Sequence, residues 1–505
     1  MVINKLQGVK KMMLDRNLKI LMVSPEVVPF AKTGGLADVA GSLPKALTVM
    51  GNDARIVMPR YRGISNVSTV TDFPVEVAGR KETCIIRESH IEAKLPEGGT
   101  KNVLVYFIDN YHYFDREGLY CHYDEAERYA FFSIAVLEML KKIDFQPDVI
   151  HCNDWQSGPI PFLLREKYSD DSFYKRMASV FTVHNLLYQG NYPRECLGLL
   201  GVGDHYYSPD ALEFFGQVSF MKAGIGYADV INTVSKRYAR EIQTPEFGLG
   251  FEGLLRKRAH DLHGIINGIN YHEFNPKTDP RIFRTYDSHS IGDKQENKFN
   301  LQKEMGLPVR DVPVIGLISR LVDQKGLDLI NEVIDEIMKE DLQFIVLGAG
   351  DKYYEEMFAG MRERYPQKIG LYLGYNGILA QRIYAGSDMF LMPSKFEPSG
   401  LGQLISLRYG TVPIVRATGG LAETISDYDR ATGSGNGFSF EPYESGIMLE
   451  TVRRALRIYR DEPGKWKKLV VNAMEQDFSW NRSGAEYIEL FDLAIHKRTD
   501  MYRIA

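Results

Sequence analysis

Leu18-Lys19-Ile20-Leu21-Met22-Val23-Ser24-Pro25-Glu26, followed by Lys32-Thr33-Gly34-Gly35 and then by Leu36-Ala37-Asp38-Val39-Ala40-Gly41-Ser42-Leu43-Pro44-Lys45-Ala46-Leu47, is the stretch that decides the fold. The first run is a short apolar strand stopped by a proline. The last places Leu36, Val39, Ala40, Leu43 and Leu47 at helical spacing. Two glycines at a strand-to-helix turn let an oxygen-rich anion come close to the backbone. The helix N-terminus then offers unpaired N–H groups and the positive end of its dipole, and Lys32 adds a full charge. The spacing is neither that of a Walker loop nor that of the dinucleotide fingerprint. Alone, the stretch fits an ordinary tight turn equally well.

A related arrangement lies far down the chain. Val312-Pro313-Val314-Ile315-Gly316-Leu317-Ile318-Ser319-Arg320 reads as a second buried strand, and Leu321 to Ile330 opens a helix after Lys325-Gly326. Further continuous apolar runs follow each unit: 54–59, 102–108, 148–151, 179–184 and 229–235 after the first, and 342–348, 369–374, 389–392 and 412–415 after the second. Such runs indicate strands covered on both faces by helices. The stretch 64–100 alternates and reads as an antiparallel insert. The predicted fold class is therefore α/β, with two Rossmann-like doubly wound domains facing a deep cleft and ligands bound beyond the strand C-terminal ends. The expected divisions are an N-terminal extension over 1–17, a first domain over 18–262, a second over 263–480, and a C-terminal helical segment over 481–505 that packs back on the first.

At 505 residues the chain exceeds one compact core, and 44 % hydrophobic and 25 % charged residues describe an ordinary globular protein. A net charge of −5 argues against a nucleic-acid partner. No apolar run is long enough to span a bilayer, so no membrane association is expected. Cys84, Cys121, Cys152 and Cys196 have irregular spacing that suggests neither a metal ladder nor a redox pair. Free thiols in a cytoplasmic setting and no metal are expected.

The motifs together carry a resemblance. Lys32-Thr33-Gly34-Gly35-Leu36-Ala37-Asp38-Val39, His151-Cys152-Asn153-Asp154-Trp155, Thr182-Val183-His184-Asn185, Ser319-Arg320-Leu321 with Lys325-Gly326, Phe396-Glu397-Pro398-Ser399-Gly400-Leu401 and Thr418-Gly419-Gly420-Leu421 stand in one order across roughly residues 18 to 480. In that order the chain resembles the bacterial-type glycogen (starch) synthases, retaining glucosyltransferases of the GT-B fold. The resemblance implies transfer of glucose from ADP-glucose to the non-reducing end of an α-1,4-glucan, with no cofactor. Three departures stand out: Ser399 where the family usually has cysteine, Gly402 where threonine is common in bacterial members, and the N-terminal extension.

From the resemblance, Arg320 and Lys325 are expected to stabilise the departing diphosphate, helped by Lys32 and by N–H groups at Gly34-Gly35 and Gly400-Leu401. A charge at roughly 4 Å is worth about 4 kcal/mol at an effective dielectric of about 20. Glu397 is expected to hold the donor glucose and favour positive charge at its anomeric carbon. No second carboxylate is spaced as a retaining hydrolase would need, so Glu397 is not read as a covalent nucleophile. His184 is expected beside the transferred glucose, holding a hydroxyl rather than acting as general base. Asp154 and Trp155 are expected on the acceptor side, Asn185 is expected among the substrate-binding residues, and Asp38 is expected to order the Lys32 loop. Ser399, Thr418, Gly419 and Gly420 complete the substrate-binding set. Tyr375 fits either stacking on the adenine or packing in the core. Arg320 and Lys325 also fit surface ion pairs with Asp323 or Asp328. Rival functions are a related GT-B transferase using UDP-glucose or another acceptor, and a glucan-binding protein without catalysis. A phosphorylase is disfavoured because no motif supplies a pyridoxal-phosphate lysine.

Overall fold

The computed structural model describes residues 17–504. The extension expected over 1–17 lies, apart from Asn17, outside the described residues. Two compact units divide the chain: the first runs to Val234 and adds Ala239–Ile265 and the segment from Trp480, and the second comprises Ser235–Tyr238 and Ile266–Ser479.

The first unit is built on a nine-stranded sheet in the order Leu262–Gly264, Val230–Thr233, Ala178–Val183, Val149–Asn153, Lys19–Val23, Asp53–Pro59, Thr100–Asp109, Arg80–Lys94, Ser68–Val77. The first seven are parallel. The last two form an antiparallel hairpin, which accounts for the alternating pattern over 64–100. Every residue of Ala178–Val183 and of Val149–Asn153 is buried, as expected of central strands with helices on both faces. The strand Lys19–Val23 lies mid-sheet; the chain then winds outward through Asp53–Pro59 and Thr100–Asp109 and returns to the other side of Lys19–Val23. The strand order therefore reverses between Lys19–Val23 and Val149–Asn153. A small antiparallel sheet of Asn191–Tyr192, Gln217–Ser219 and Glu213–Phe214 sits on this unit.

The second unit carries a six-stranded, wholly parallel sheet: Ile369–Leu373, Gln343–Gly350, Val314–Leu321, Met389–Met392, Val412–Arg416, Phe438–Phe440. Numbered along the chain, this is the doubly wound order 3-2-1-4-5-6, with its reversal between Val314–Leu321 and Met389–Met392. The helix Leu327–Lys339 buries Leu327, Ile330, Val333, Ile334 and Ile337 along one stripe, the spacing of an amphipathic helix on a sheet.

Two boundaries differ from the sequence reading. The first unit continues to Ile265, past 262, because Leu262–Gly264 pairs with Val230–Thr233 before the polar stretch begins. The last helix spans Trp480–Ile504, longer than the periodic stretch 483–496. Among the described residues, no helix is long and apolar enough to cross a membrane.

Candidate active site

In both units the motif residues collect at strand C-terminal ends beside the reversal of strand order, where open α/β sheets bind ligands. In the first unit, the Glu26 carboxylate lies just past Lys19–Val23 and is buried. It accepts hydrogen bonds from the Thr33 N–H, from Thr33 Oγ1 at 2.6 Å, from the Gly34 N–H at 3.3 Å and from the Tyr120 hydroxyl at 2.6 Å. The glycine turn is thus shaped by an acid eight residues upstream. This corrects one expectation: the Gly34 N–H, read as open to an anion, is already taken by Glu26. Gly35 begins the helix Gly35–Val49, whose first N–H groups lack intrahelical acceptors. Lys32 Nζ pairs with Asp38 Oδ1 at 2.8 Å, on the first turn of that helix. With side chains 42 % and 24 % exposed, the pair adds less than about 1 kcal/mol of stability and serves to aim the ammonium group.

Across the reversal, Asp154 follows Val149–Asn153 with φ 56° and ψ 176°, a backbone region occupied almost only by glycine. Two bonds hold it there. Its N–H donates to Thr182 O at 3.0 Å, and its Oδ1 accepts the His184 N–H at 2.7 Å. Burial pushes the Asp154 carboxyl up to about 7, against the pull of the His184 and Asn185 N–H groups. Asn153 Nδ2 donates to Val23 O at 3.0 Å and His151 O at 3.2 Å, so its Oδ1 faces His184 Nε2 at 2.9 Å as an acceptor. That geometry puts the imidazole hydrogen on Nε2 and leaves Nδ1 with a lone pair. Burial pushes the His184 imidazole down to about 3, so at neutral pH it is a hydrogen-bond partner rather than a charged group. Asn185 Oδ1 accepts from the Leu187 N–H at 3.1 Å and turns the loop that follows. Trp155, expected on the acceptor side, is 7 % exposed. It packs edge-on against Tyr129 at 5.0 Å and covers Gly190, where a Cβ would lie 2.4 Å from the ring. Trp155 therefore acts as a buried wedge that supports the turn.

In the second unit, Arg320 is the penultimate residue of Val314–Leu321. Lys325 Nζ meets Glu397 Oε2 at 2.6 Å, and Ser394 Oγ donates to the same oxygen at 3.0 Å. The rival pairing for Lys325 does not form: Asp323 is held by Lys395 at 2.5 Å, and Asp328 receives the Tyr443 hydroxyl at 2.5 Å. The loops after the two central strands interlock. The Lys395 N–H donates to Gln324 O at 2.9 Å, and a Cβ on Gly326 would lie 2.0 Å from Pro393 O. A third loop closes on them: the Gly420 N–H donates to Glu397 O at 3.0 Å, just past Thr418, the residue that precedes the helix Gly419–Thr424. Gly400, at φ 72°, and Leu401 lead into the helix Gly402–Arg408. The Ser399 hydroxyl is buried and has no hydrogen-bond partner among the described residues. A Cβ on Gly402 would meet the Phe390 ring at 3.0 Å, which is why a larger residue is crowded there. Tyr375 stands apart, beyond Ile369–Leu373, and its 86 % exposure excludes core packing.

Lys32, Gly34, Gly35 and Asp38 thus form one cluster of the first unit, and Asp154, Trp155, His184 and Asn185 a neighbouring one. Arg320, Lys325, Glu397, Ser399, Gly400, Leu401, Thr418, Gly419 and Gly420 gather in the second. Sequence reasoning missed Glu26, Asn153 and Ser394. For Glu26 the usable signal was an acid one residue after the proline that ends a strand.

Comparison with known proteins bears on the family and the fold. A family model described as the starch synthase catalytic domain matches residues 19–257, and one described as glycosyl transferases group 1 matches residues 299–469. A glycogen synthase from Desulforudis audaxviator is 61 % identical over 491 residues, covering 96 % of this chain and 98 % of its own. One from Moorella thermoacetica is 55 % identical over 485 residues, with 96 % and 98 % covered. Among solved structures, the catalytic domain of starch synthase IV from Arabidopsis thaliana, bound to ADP and acarbose, matches with a TM-score of 0.88 at 32 % identity. The match covers 95 % of this chain and 100 % of that one.

Proposed function

The chain belongs to the glycogen and starch synthase family of GT-B glycosyltransferases, and from that premise we propose that it transfers glucose from ADP-glucose to the non-reducing end of an α-1,4-glucan with retention of configuration. The observation that carries the reading is the Lys325–Glu397 pair, set among close-packed glycine loops beside the reversal of a 3-2-1-4-5-6 sheet. ADP in the Arabidopsis structure supports an adenine nucleotide as the donor class.

Lys325 and Arg320 offset the negative charge that grows on the departing diphosphate, and loss of one preorganised donor costs about 3–4 kcal/mol of transition-state stabilisation. The Glu397 carboxylate stabilises the sugar as its anomeric carbon gains positive charge. The C1–O bond to the β-phosphate breaks on the face where the C1–O4 bond to the acceptor forms. The acceptor hydroxyl proton passes to the departing phosphate oxygen, and ADP leaves. In the first unit, neutral His184 offers Nδ1 to a glucose hydroxyl. The exposed Tyr375 ring is a platform for the adenine.

A donor panel with glycogen as primer tests this. ADP-glucose should give ADP release and chain extension at least tenfold more efficiently than UDP-glucose. The added glucose should be removable by an exo-acting enzyme specific for α-1,4 links. Retention on a glycogen gel with no transfer from either donor would overturn the reading in favour of a binding protein.

A further inference from the structure

The hairpin between Glu213–Phe214 and Gln217–Ser219 turns through Phe215 at φ 49° and Gly216 at φ 77°. Positive φ at both central residues is the tight turn that prefers Asn-Gly. A phenylalanine at its first position bears the steric cost of the left-handed region, yet its ring is 79 % exposed. Neither turn formation nor burial accounts for an aromatic there, and such outliers concentrate where a ligand is held.

The ring is also fixed in place. Phe214 stacks on Phe251 at 4.1 Å and 16°, and meets Phe215 edge-to-face at 4.8 Å. Phe215 rests on the bare backbone of Gly250, where a Cβ would lie 2.7 Å from it. The adjoining Leu249 is left-handed as well, at φ 49°, and 42 % exposed. Gln189 Nε2 donates to Leu249 O at 3.2 Å, tying this ledge to the loop that leaves His184-Asn185. In that loop Leu187 and Tyr188 are each 46 % exposed. Phe215 and Leu249 thus form an exposed apolar ledge that Gln189 ties to the loop carrying the exposed Leu187 and Tyr188.

We propose that this ledge is a stacking subsite for the acceptor glucan, with Phe215 taking the C–H face of a glucose unit upstream of the one that reacts. The inference rests on the transferase reading above. Flat sugar faces need rigid apolar area and little charge, and the ledge supplies that beside the turn assigned to the transferred glucose.

Phe215→Asn is the informative variant, because it restores the Asn-Gly pair that the turn prefers and so should fold at least as well as the parent. Thermal melting checks this. Its KM for glycogen should rise about fivefold or more, with KM for ADP-glucose within twofold, and its retardation in a glycogen-containing native gel should weaken. Phe215→Trp should restore both glycogen readouts. An active parent whose Phe215→Asn variant keeps the parental glycogen KM and gel mobility overturns the subsite while leaving the transferase reading intact. A parent that transfers no glucose overturns the transferase reading, and the subsite with it.

Discussion

Glu397 and Lys325 have side chains only 9 % and 16 % exposed, so each depends on the other for its charge to be tolerable. Removing one partner of a buried pair costs about 3 kcal/mol, because the other is stranded. Glu397→Gln should therefore lower both activity, by at least about a hundredfold, and unfolding free energy. Adding Lys325→Met should recover part of the stability in urea denaturation but none of the glycosyl transfer, which separates the structural role from the chemical one. The buried groups around Asp154 give a second expectation. Burial holds His184 down to about 3, and burial together with the nearby His184 holds His151 down to about 3, whereas the unfolded chain titrates them near 6.5. Between these values the unfolded state binds more protons, so stability is lost as pH falls below about 6.5. Asp154, raised to about 7, acts the other way: the native state keeps a proton that the unfolded chain has lost, and stability falls as pH rises from about 4 to 7. These three groups together contribute one proton of difference, a slope of about 1.4 kcal/mol per pH unit between 4.5 and 6. Asp154→Asn should steepen the measured fall in stability toward low pH by about 1.4 kcal/mol per pH unit in urea melts, and an unchanged slope would contradict the assignment.

At the scale of elements, the site of the second unit is three loops locked at backbone distance. Gly419, at φ 46°, would place a Cβ 2.0 Å from Glu397 O, and Gly420 one 2.1 Å from Ser399 O. Both contacts are to backbone, which cannot swing aside. Gly419→Ala should displace the Glu397 loop, lowering the melting temperature by several degrees and activity at least about a hundredfold. Gly464→Ala, with open space at its Cβ on the helix Pro463–Met474, should lower neither. The strands of both sheets were legible in the sequence because burial on both faces leaves continuous apolar runs such as Ala178–Val183. The small sheet was not, since strands of two or three residues like Glu213–Phe214 carry no period to read. The same limit applies to the site. Glycine-bearing loops announce themselves locally, whereas Glu26 matters through Tyr120, 94 residues away, and Asn153 through Val23, 130 residues away. The Gly34 N–H was misread for that reason: turn chemistry shows a free donor, and only tertiary structure shows the carboxylate that fills it.

Over the whole molecule, the chain leaves its first unit at Ile265, builds the second, and returns with the helix Trp480–Ile504. That helix is part of the first unit's core. Tyr487, Phe491 and Ala494 are fully buried, and Asn232 Nδ2 donates to the Tyr487 hydroxyl at 3.1 Å. Its ring lies 5.5 Å from that of His151, on the strand that bears Asn153 and leads into Asp154. Near its end, Lys497 Nζ donates to Asp229 O at 2.9 Å and Arg498 Nε to Lys175 O at 3.0 Å. The last segment of sequence thus seals the strands laid down by the first half. The second unit has an apolar core of its own, around Leu317, Ile334, Val346 and Phe390. Tyr487→Ala removes a fully buried ring, at a cost of about 3–5 kcal/mol, and leaves Asn232 short of a partner. The loss should be local. In hydrogen exchange, amides of Ala178–Val183 and Val230–Thr233 should lose protection, whereas those of Val314–Leu321 and Gln343–Gly350 should keep it. Because His184 and Asp154 follow directly on two of the strands that this helix covers, transfer activity should fall with the protection of the first unit even though no residue of the helix belongs to the site. Uniform loss of protection across both units would show instead that they unfold as one.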